Sequence, residues 1–418
     1  MHGLIILIFT LSFSGQVFQT EPLTQLVLSD ASVNQVAKIR NYYVSQTGSD
    51  NNPGTSLLPF LNIQRAADIA DPGDTVVVRN GVYTTTGSSL VTITKSGRPN
   101  GYIIFRSEHK WGAVLDGKNV SGYGFMLGHG ASYVTFIDFE LKNFLYMGYF
   151  CNDALHQSNY ITIQGNNIHD IGRVQDTEPY GKCGVYLRMK NNHWTIDKNL
   201  MYNIGRTGPD SYLMNKDHAV YTGRADIGSN VAHHINITNN LIFGVSGNAL
   251  NLCSNNDLIA NNVFAWSNEN GRGGSNFITM DGPGVSDETI VNNIFYQPPS
   301  SNAFVLLSYS GYSGWSVKNN MVYGGRMWYE TSPETKAAMK GGNYGRSDCE
   351  KAEVNPRFVS ANRENAPQVD FRLHAKSPAI NAGIDVGLTS DYEGHPITGV
   401  PDIGAYKYRS PNLSPAGN

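Results

Sequence analysis

Four cysteines in 418 residues are too few for a disulfide framework, and none of their spacings suits a zinc site. Cys151, Cys183 and Cys253 fall in or beside apolar stretches, so buried free thiols are expected. Charge is equally sparse. Charged residues make up 16% of the chain and the net charge is −3, which leaves no basic field to attract nucleic acid. No apolar run reaches the roughly 20 residues needed to span a bilayer. The longest opens the chain, Leu4 to Phe13, and reads as a secretory signal. The expectation is a secreted monomer with 1–20 as signal peptide and 21–40 as linker. Sequons at Asn119, Asn236 and Asn412 agree with export.

What the chain does have is glycine (44), tyrosine (23) and a recurring asparagine, a composition that favours strands and sharp turns. One pattern returns in "YITIQGNNIHDIG" (160–172), "HWTIDKNLMYNIG" (193–205), "HINITNNLIFGVSG" (234–247), "DLIANNVFAWS" (257–267), "ETIVNNIFYQ" (288–297) and "GWSVKNNMVYGG" (314–325). Each is a short alternating strand, an asparagine turn and a further apolar pair. Between them runs a second series, "GVYLRM", "AVYTGR", "ALNLCS", "FITMDG" and "FVLLSY", starting at 184, 219, 249, 277 and 304. Strands recurring at such a period stack as coils of a parallel β-helix. Asparagine at every corner has two uses. It tolerates left-handed backbone, and its amide can bond to the asparagines above and below. The fold class is therefore all-β, a right-handed parallel β-helix over 41–349. A C-terminal segment, 350–418, is expected to pack on it.

Strand alternation separates inward from outward side chains. One outer face should carry Phe150, Tyr186, Tyr221, Asn251 and Thr279, about 4.8 Å apart from coil to coil, with Asn152, Arg188 and Asp281 alongside. Insertions fall on this face. The loops "RVQDTEPYGKCG" (173–184) and "NIGRTGPDSYLMNKDHA" (203–219) are long where "GVSGNAL" (244–250) is short. They are expected to wall a groove over Tyr186 and Tyr221. Tyr180 and Lys182 lie on the first wall, and Tyr212, Lys216, Asp217 and His218 on the second. Asp217 reads as a turn former, and Arg173 and Arg206, from the repeated "HDIGR" and "YNIGR", as coil-corner structure. Tyrosine, arginine, lysine and histidine together suit an acidic polysaccharide, with rings against sugars and cations against carboxylates.

The opening "NYYVSQTGSDNNPGTSLLPFLNIQRAADIADPGDTVVVRNGVY" (41–83) resembles the first coil and capping helix of secreted, pectate-lyase-like β-helix proteins. The closing "VNPRFVS…DFRLHAKSPAINAGI…PDIGAYKY" (354–408) resembles their C-terminal segment. These end motifs specify fold rather than chemistry. The groove is similar to that of β-helical uronate lyases, particularly alginate lyases of polysaccharide lyase families six and thirty-one. That resemblance implies β-elimination on a uronic-acid polymer, with Lys216 as base and Tyr180 or Tyr221 as acid. It also implies Arg188 and Arg224 as carboxylate partners, with Tyr186, Asn152 and Asn251 binding substrate. His218 is the rival base, since an ordinary imidazole titrates near neutrality. Asp153, Asp217 and Asp281 are scattered over several coils, so calcium is unsupported and no cofactor is expected. A glycoside hydrolase would need a second carboxylate, which Glu178 or Asp217 could supply from the loops. A uronate epimerase or a non-catalytic glycan-binding surface protein is the remaining alternative.

Overall fold

The computed structural model describes residues 39–410, apart from 152–154, 189, 208–212, 214–215, 224–230, 268–276, 281–284, 298–301, 307–313, 330–340 and 347–348. The signal segment, most of the linker, Asn152, Asp153, Tyr212, Arg224, Asp281 and Asn412 lie outside the described residues. Three parallel sheets wind around one apolar interior, two of eleven strands and one of nine. Coil-to-coil pairing is in register throughout, as in Ile161–Trp194–Ile235 on one sheet and Ile168–Met201–Ile242 on another. Each inward residue thus meets the inward residue of the next coil.

The corner asparagines divide the work that one residue was expected to do. At Lys198, Asn239, Asn261, Asn292 and Asn319 the backbone turns left-handed, with φ between 49° and 57°; glycine takes that position at Gly165 and Gly342. The residue that follows points inward. Asn166, Asn199, Asn240, Asn262, Asn293, Asn320 and Asn343 form a continuous ladder, each amide nitrogen donating to the next carboxamide oxygen at 2.9–3.1 Å. Most are fully buried, so each bond satisfies groups that have no access to water.

The outer asparagines also bond to the C-terminal segment, which packs along them. Asn319 donates to Ala382 O (2.9 Å), Asn292 to Ile384 O (2.8 Å), Asn261 to Asp402 O (3.2 Å) and Asn239 to Ser390 O (3.3 Å). Phe371, Leu373, Tyr392 and Ile403 then seal a second apolar layer over Tyr202, Phe243, Trp266 and Tyr296. At the other end the helix Ile63–Ile69 buries Ile63, Ala66 and Ala67. Its Gln64 carboxamide pairs with Thr92 like a missing strand: Nε2 donates to Thr92 O (3.0 Å) and Oε1 accepts from Thr92 N (2.8 Å). An exposed sheet edge is thereby closed. Helix and C-terminal segment cover one end and one face, and the nine-stranded sheet is not the face they cover.

Replacing Asn262 with alanine removes the acceptor for Asn240 N and Nδ2 and takes from Asn293 Oδ1 its side-chain donor, leaving only the main-chain N–H of residue 262. Urea unfolding of Asn262→Ala is expected to show a loss of about 2–4 kcal/mol, the cost of stranded buried polar groups. A loss below about 1 kcal/mol would mean the ladder carries little of the fold.

Candidate active site

The nine-stranded sheet stacks Tyr123–Leu127, Met147–Cys151, Cys183–Leu187, His218–Thr222, Leu250–Leu252 and Ile278–Met280 in that order. Its register aligns Phe150 with Tyr186, Tyr186 with Tyr221, Tyr221 with Asn251 and Asn251 with Thr279. Buried inward residues flank each of them, Tyr149 and Cys151 around Phe150, Val185 and Leu187 around Tyr186, and Val220 and Thr222 around Tyr221, and this holds the rings outward. Phe150 and Tyr186 lie 5.6 Å apart between ring centres, Tyr186 and Tyr221 5.4 Å. Thr279 is buried, so the open part of the column ends at Asn251.

A groove of about 830 Å³ runs along this column. Tyr180, Lys216, His218, Tyr221, Tyr186 and Asn251 all line it. The first loop supplies Glu178, Pro179, Tyr180 and Gly181, and the second supplies Lys216. Tyr180 is 74% exposed on its rim. From the opposite side Lys216, half-buried, donates its ammonium to Pro179 O at 2.9 Å. Base and acid candidates from different loops therefore meet within one residue of each other. Arg188 does not line the groove. It lies within electrostatic reach of the Tyr186 phenol, whose pKa burial pushes up to about 12.

Sequence reasoning missed Tyr123, Tyr146 and Met147, which extend the floor by one coil. The rings of Tyr123 and Phe150 stack at 4.3 Å and 7°, and Tyr123 meets Tyr146 at 5.7 Å. The signal was present in "GYGFML" (122–127), an earlier member of the outer-strand series.

Three expectations are corrected by burial. Lys182, expected on the first wall, is fully buried: its ammonium bonds Asp176 Oδ2 at 2.6 Å and sits 4.2 Å from the ring centre of Tyr146. Asp217 is fully buried and cannot act as a second groove acid. Its carboxylate accepts from Lys182 N and Arg206 N at 2.8 Å each and from Arg206 Nη1 at 2.9 Å. Burial raises its pKa to about 6 against the opposing pull of Arg206. His218 is 2% exposed, and burial lowers its pKa to about 4, too weak for the neutral-pH base first considered. Its Nε2 pairs with Asn251 Nδ2 at 3.3 Å. The ring thus orients Asn251 and packs beside Tyr221, with centres 5.2 Å apart.

Among the described residues Glu178 is the one carboxylate lining the groove. One group of potential metal ligands, Asp391, Glu393 and His395, lies close enough to share an ion, but on the C-terminal segment. There Asp391 already accepts from Glu393 N, His395 N and Lys407 N at 2.8–3.1 Å.

A parallel β-helix with an aromatic groove on one sheet, walled by two inserted loops, is the class of protein defined so far. Residues 42–226 match the family described as the Pel9A-like, right-handed β-helix region. Pectate lyase PEL9 of Emericella nidulans is 31% identical over 163 residues, 36% of this chain and 39% of that protein. The uncharacterized protein YwoF of Bacillus subtilis is 26% identical over 191 residues, 46% of this chain and 35% of that protein. The chain thus spans well under half the length of these curated relatives. Among solved structures, pectate lyase Pel9A superposes with a TM-score of 0.54 at 16% identity, covering 88% of this chain and 96% of that one. The alginate lyase from Paenibacillus sp. str. FPU-7 gives 0.53 at 20% identity, covering 74% of this chain and 99% of that one. Both likenesses are of fold. They extend the right-handed β-helix beyond residue 226.

The His218 shift has a sign that unfolding can read. The unfolded chain takes up a proton below pH 6.5, whereas the folded ring resists until about pH 4. Its contribution to stability is therefore complete above pH 6.5 and is lost as pH falls toward 4. Between pH 7.5 and 5 the wild type should lose about 2 kcal/mol more than His218→Gln in urea unfolding. Equal losses in the two proteins would place the ring in contact with water.

Proposed function

We propose that the protein is a polysaccharide lyase that cleaves a uronic-acid polymer, alginate-like in charge and linkage, by β-elimination. The observation that carries this reading is the meeting of Lys216 and Tyr180 above a floor of Phe150, Tyr186 and Tyr221. Sugar rings lie along the aromatic floor. Lys216 takes the proton on C5, beside the uronate carboxylate. Electrons of the broken C5–H bond form the C4=C5 double bond as the C4–O bond breaks. Tyr180 gives its phenolic proton to the departing glycosidic oxygen, and Tyr221 is the alternative donor from the floor. Asn251, oriented by His218, receives a carboxylate along the groove. The relationship to PEL9 supports lyase chemistry and favours pectate as the second substrate to try. The fold of the Paenibacillus enzyme supports alginate. Action on such a polymer fits an exported protein, which the apolar stretch Leu4–Phe13 supports.

Hydrolysis is disfavoured because Glu178 has no described carboxylate partner across the groove. Incubation with alginate, polygalacturonate and glucuronan, followed by ultraviolet absorbance of the unsaturated uronate, separates the readings. Rising absorbance is expected; new reducing ends without absorbance would select a hydrolase, and binding with neither would leave a glycan-binding protein. Lys216→Ala should lower turnover by about 10³-fold or more, with its circular dichroism unchanged. Near-normal turnover in that variant would remove Lys216 from the mechanism.

A further inference from the structure

Arg206 leaves the coil just after the strand Leu200–Ile204, behind Gly205, whose φ of 97° suits glycine. A Cβ on Gly205 would lie 2.6 Å from Asp217 Cβ and 2.8 Å from Ser246 Cβ, so only glycine lets the chain pass here. The guanidinium beyond it is 2% exposed yet has a partner for each of its five N–H groups. Nε donates to Asp176 Oδ1 (3.0 Å), and Nη2 to Glu178 O (2.9 Å) and Tyr180 O (2.5 Å). Nη1 donates to Leu213 O (3.0 Å) and Asp217 Oδ1 (2.9 Å). Three acceptors belong to the first groove wall and two to the second. Asp176 also holds Lys182, whose ammonium rests on the floor ring of Tyr146, so one buried network of four charges reaches both walls and the floor.

We propose that Arg206 is a positioning residue: its guanidinium locks the two loops together so that Tyr180 and Lys216 face one substrate bond at fixed spacing. The proposal rests on the lyase reading of the groove. Tyr180 and Lys216 stand on separate insertions, and Lys216 Nζ bonds to Pro179 O at the rim. Beneath it the guanidinium grips the carbonyl of Tyr180 itself and the carbonyl and carboxylate at Leu213 and Asp217, which bracket Lys216. A planar five-donor fork can do this; a lysine, with three donors on one point charge, reaches only part of the set. The aromatic floor stands on strands whose register does not involve Arg206. Loss of the fork should therefore misplace the proton-transfer groups while sugar binding persists, and a displacement near 1 Å costs about 10²-fold in rate.

Steady-state kinetics on the active uronate polymer, combined with peptide-level hydrogen exchange, test this in the full chain. Arg206→Lys should lower kcat about 30- to 100-fold, with KM changed less than about threefold. In Arg206→Ala, added methylguanidinium should recover at least about tenfold of the lost kcat, and it should give nothing to Lys216→Ala. Exchange should rise together in peptides covering 177–182 and 213–218, with the Asn240 and Asn262 coils still protected. If Arg206→Ala does not fold, Arg206→Lys and Asp176→Asn carry the same measurements. A folded Arg206→Lys with kcat within about threefold of wild type, or a KM that rises as much as kcat falls without rescue, overturns the proposal. Exchange confined to one loop does the same. Should the wild type yield no unsaturated product from any uronate polymer while both loops still loosen together, the lyase reading falls and the coupling of the walls stands.

Discussion

A file of buried side-chain amides, Asn166 to Asn343, sets the coil register on which everything else depends. Each carboxamide accepts from the main-chain N–H of the previous coil's ladder residue and from its side chain, so a slip by one position would strand several donors and acceptors in a dry interior. The apolar side chains alone would tolerate many stackings, because valine, leucine and isoleucine fit one another in several registers. Directional bonds do not. With the ladder in place, a tyrosine on one coil necessarily stands over its counterpart on the next, and an outer column becomes a floor.

Two buried polar systems serve different ends here. Neutral carboxamides fix the coils, and two opposite pairs of charges, Lys182 and Arg206 against Asp176 and Asp217, fix the loops. Burial of an ion pair brings little net stability unless every remaining proton and lone pair has a partner, and this network meets that condition at its guanidinium. Loops otherwise form the most variable part of a solenoid. Here their anchoring lets exposed residues, Tyr180 above all, stand at a defined place over the floor.

Much of the site was legible because a strand's period of two is rigid. The alignment of Phe150, Tyr186, Tyr221 and Asn251 follows from alternation and coil length alone. The insertions at 173–184 and 203–219 identified the walled side. Lys182, Asp217, His218 and Arg206 were harder to read for one shared reason. Each is polar and lies in a loop or beside one, where sequence gives no period from which to judge burial. Their surroundings come from segments roughly 10 to 40 positions away in the chain, Asp217 meeting both Lys182 and Arg206. The corner asparagines failed in another way: the repeated pair was visible, but its division into one residue that bends the backbone and one that bonds inward depends on φ.

By itself the sequence determined the solenoid, its repeat and the face that would be aromatic, since these depend on local periodicity and on residue types whose backbone preferences are strong. The tertiary structure alone decided which polar groups meet water. Proton affinity and reach depend on the dielectric and the partners around each group, and long-range packing supplies both. Lys216 remained accessible in the groove, whereas His218 was buried into its floor and Asp217 was drawn beneath it.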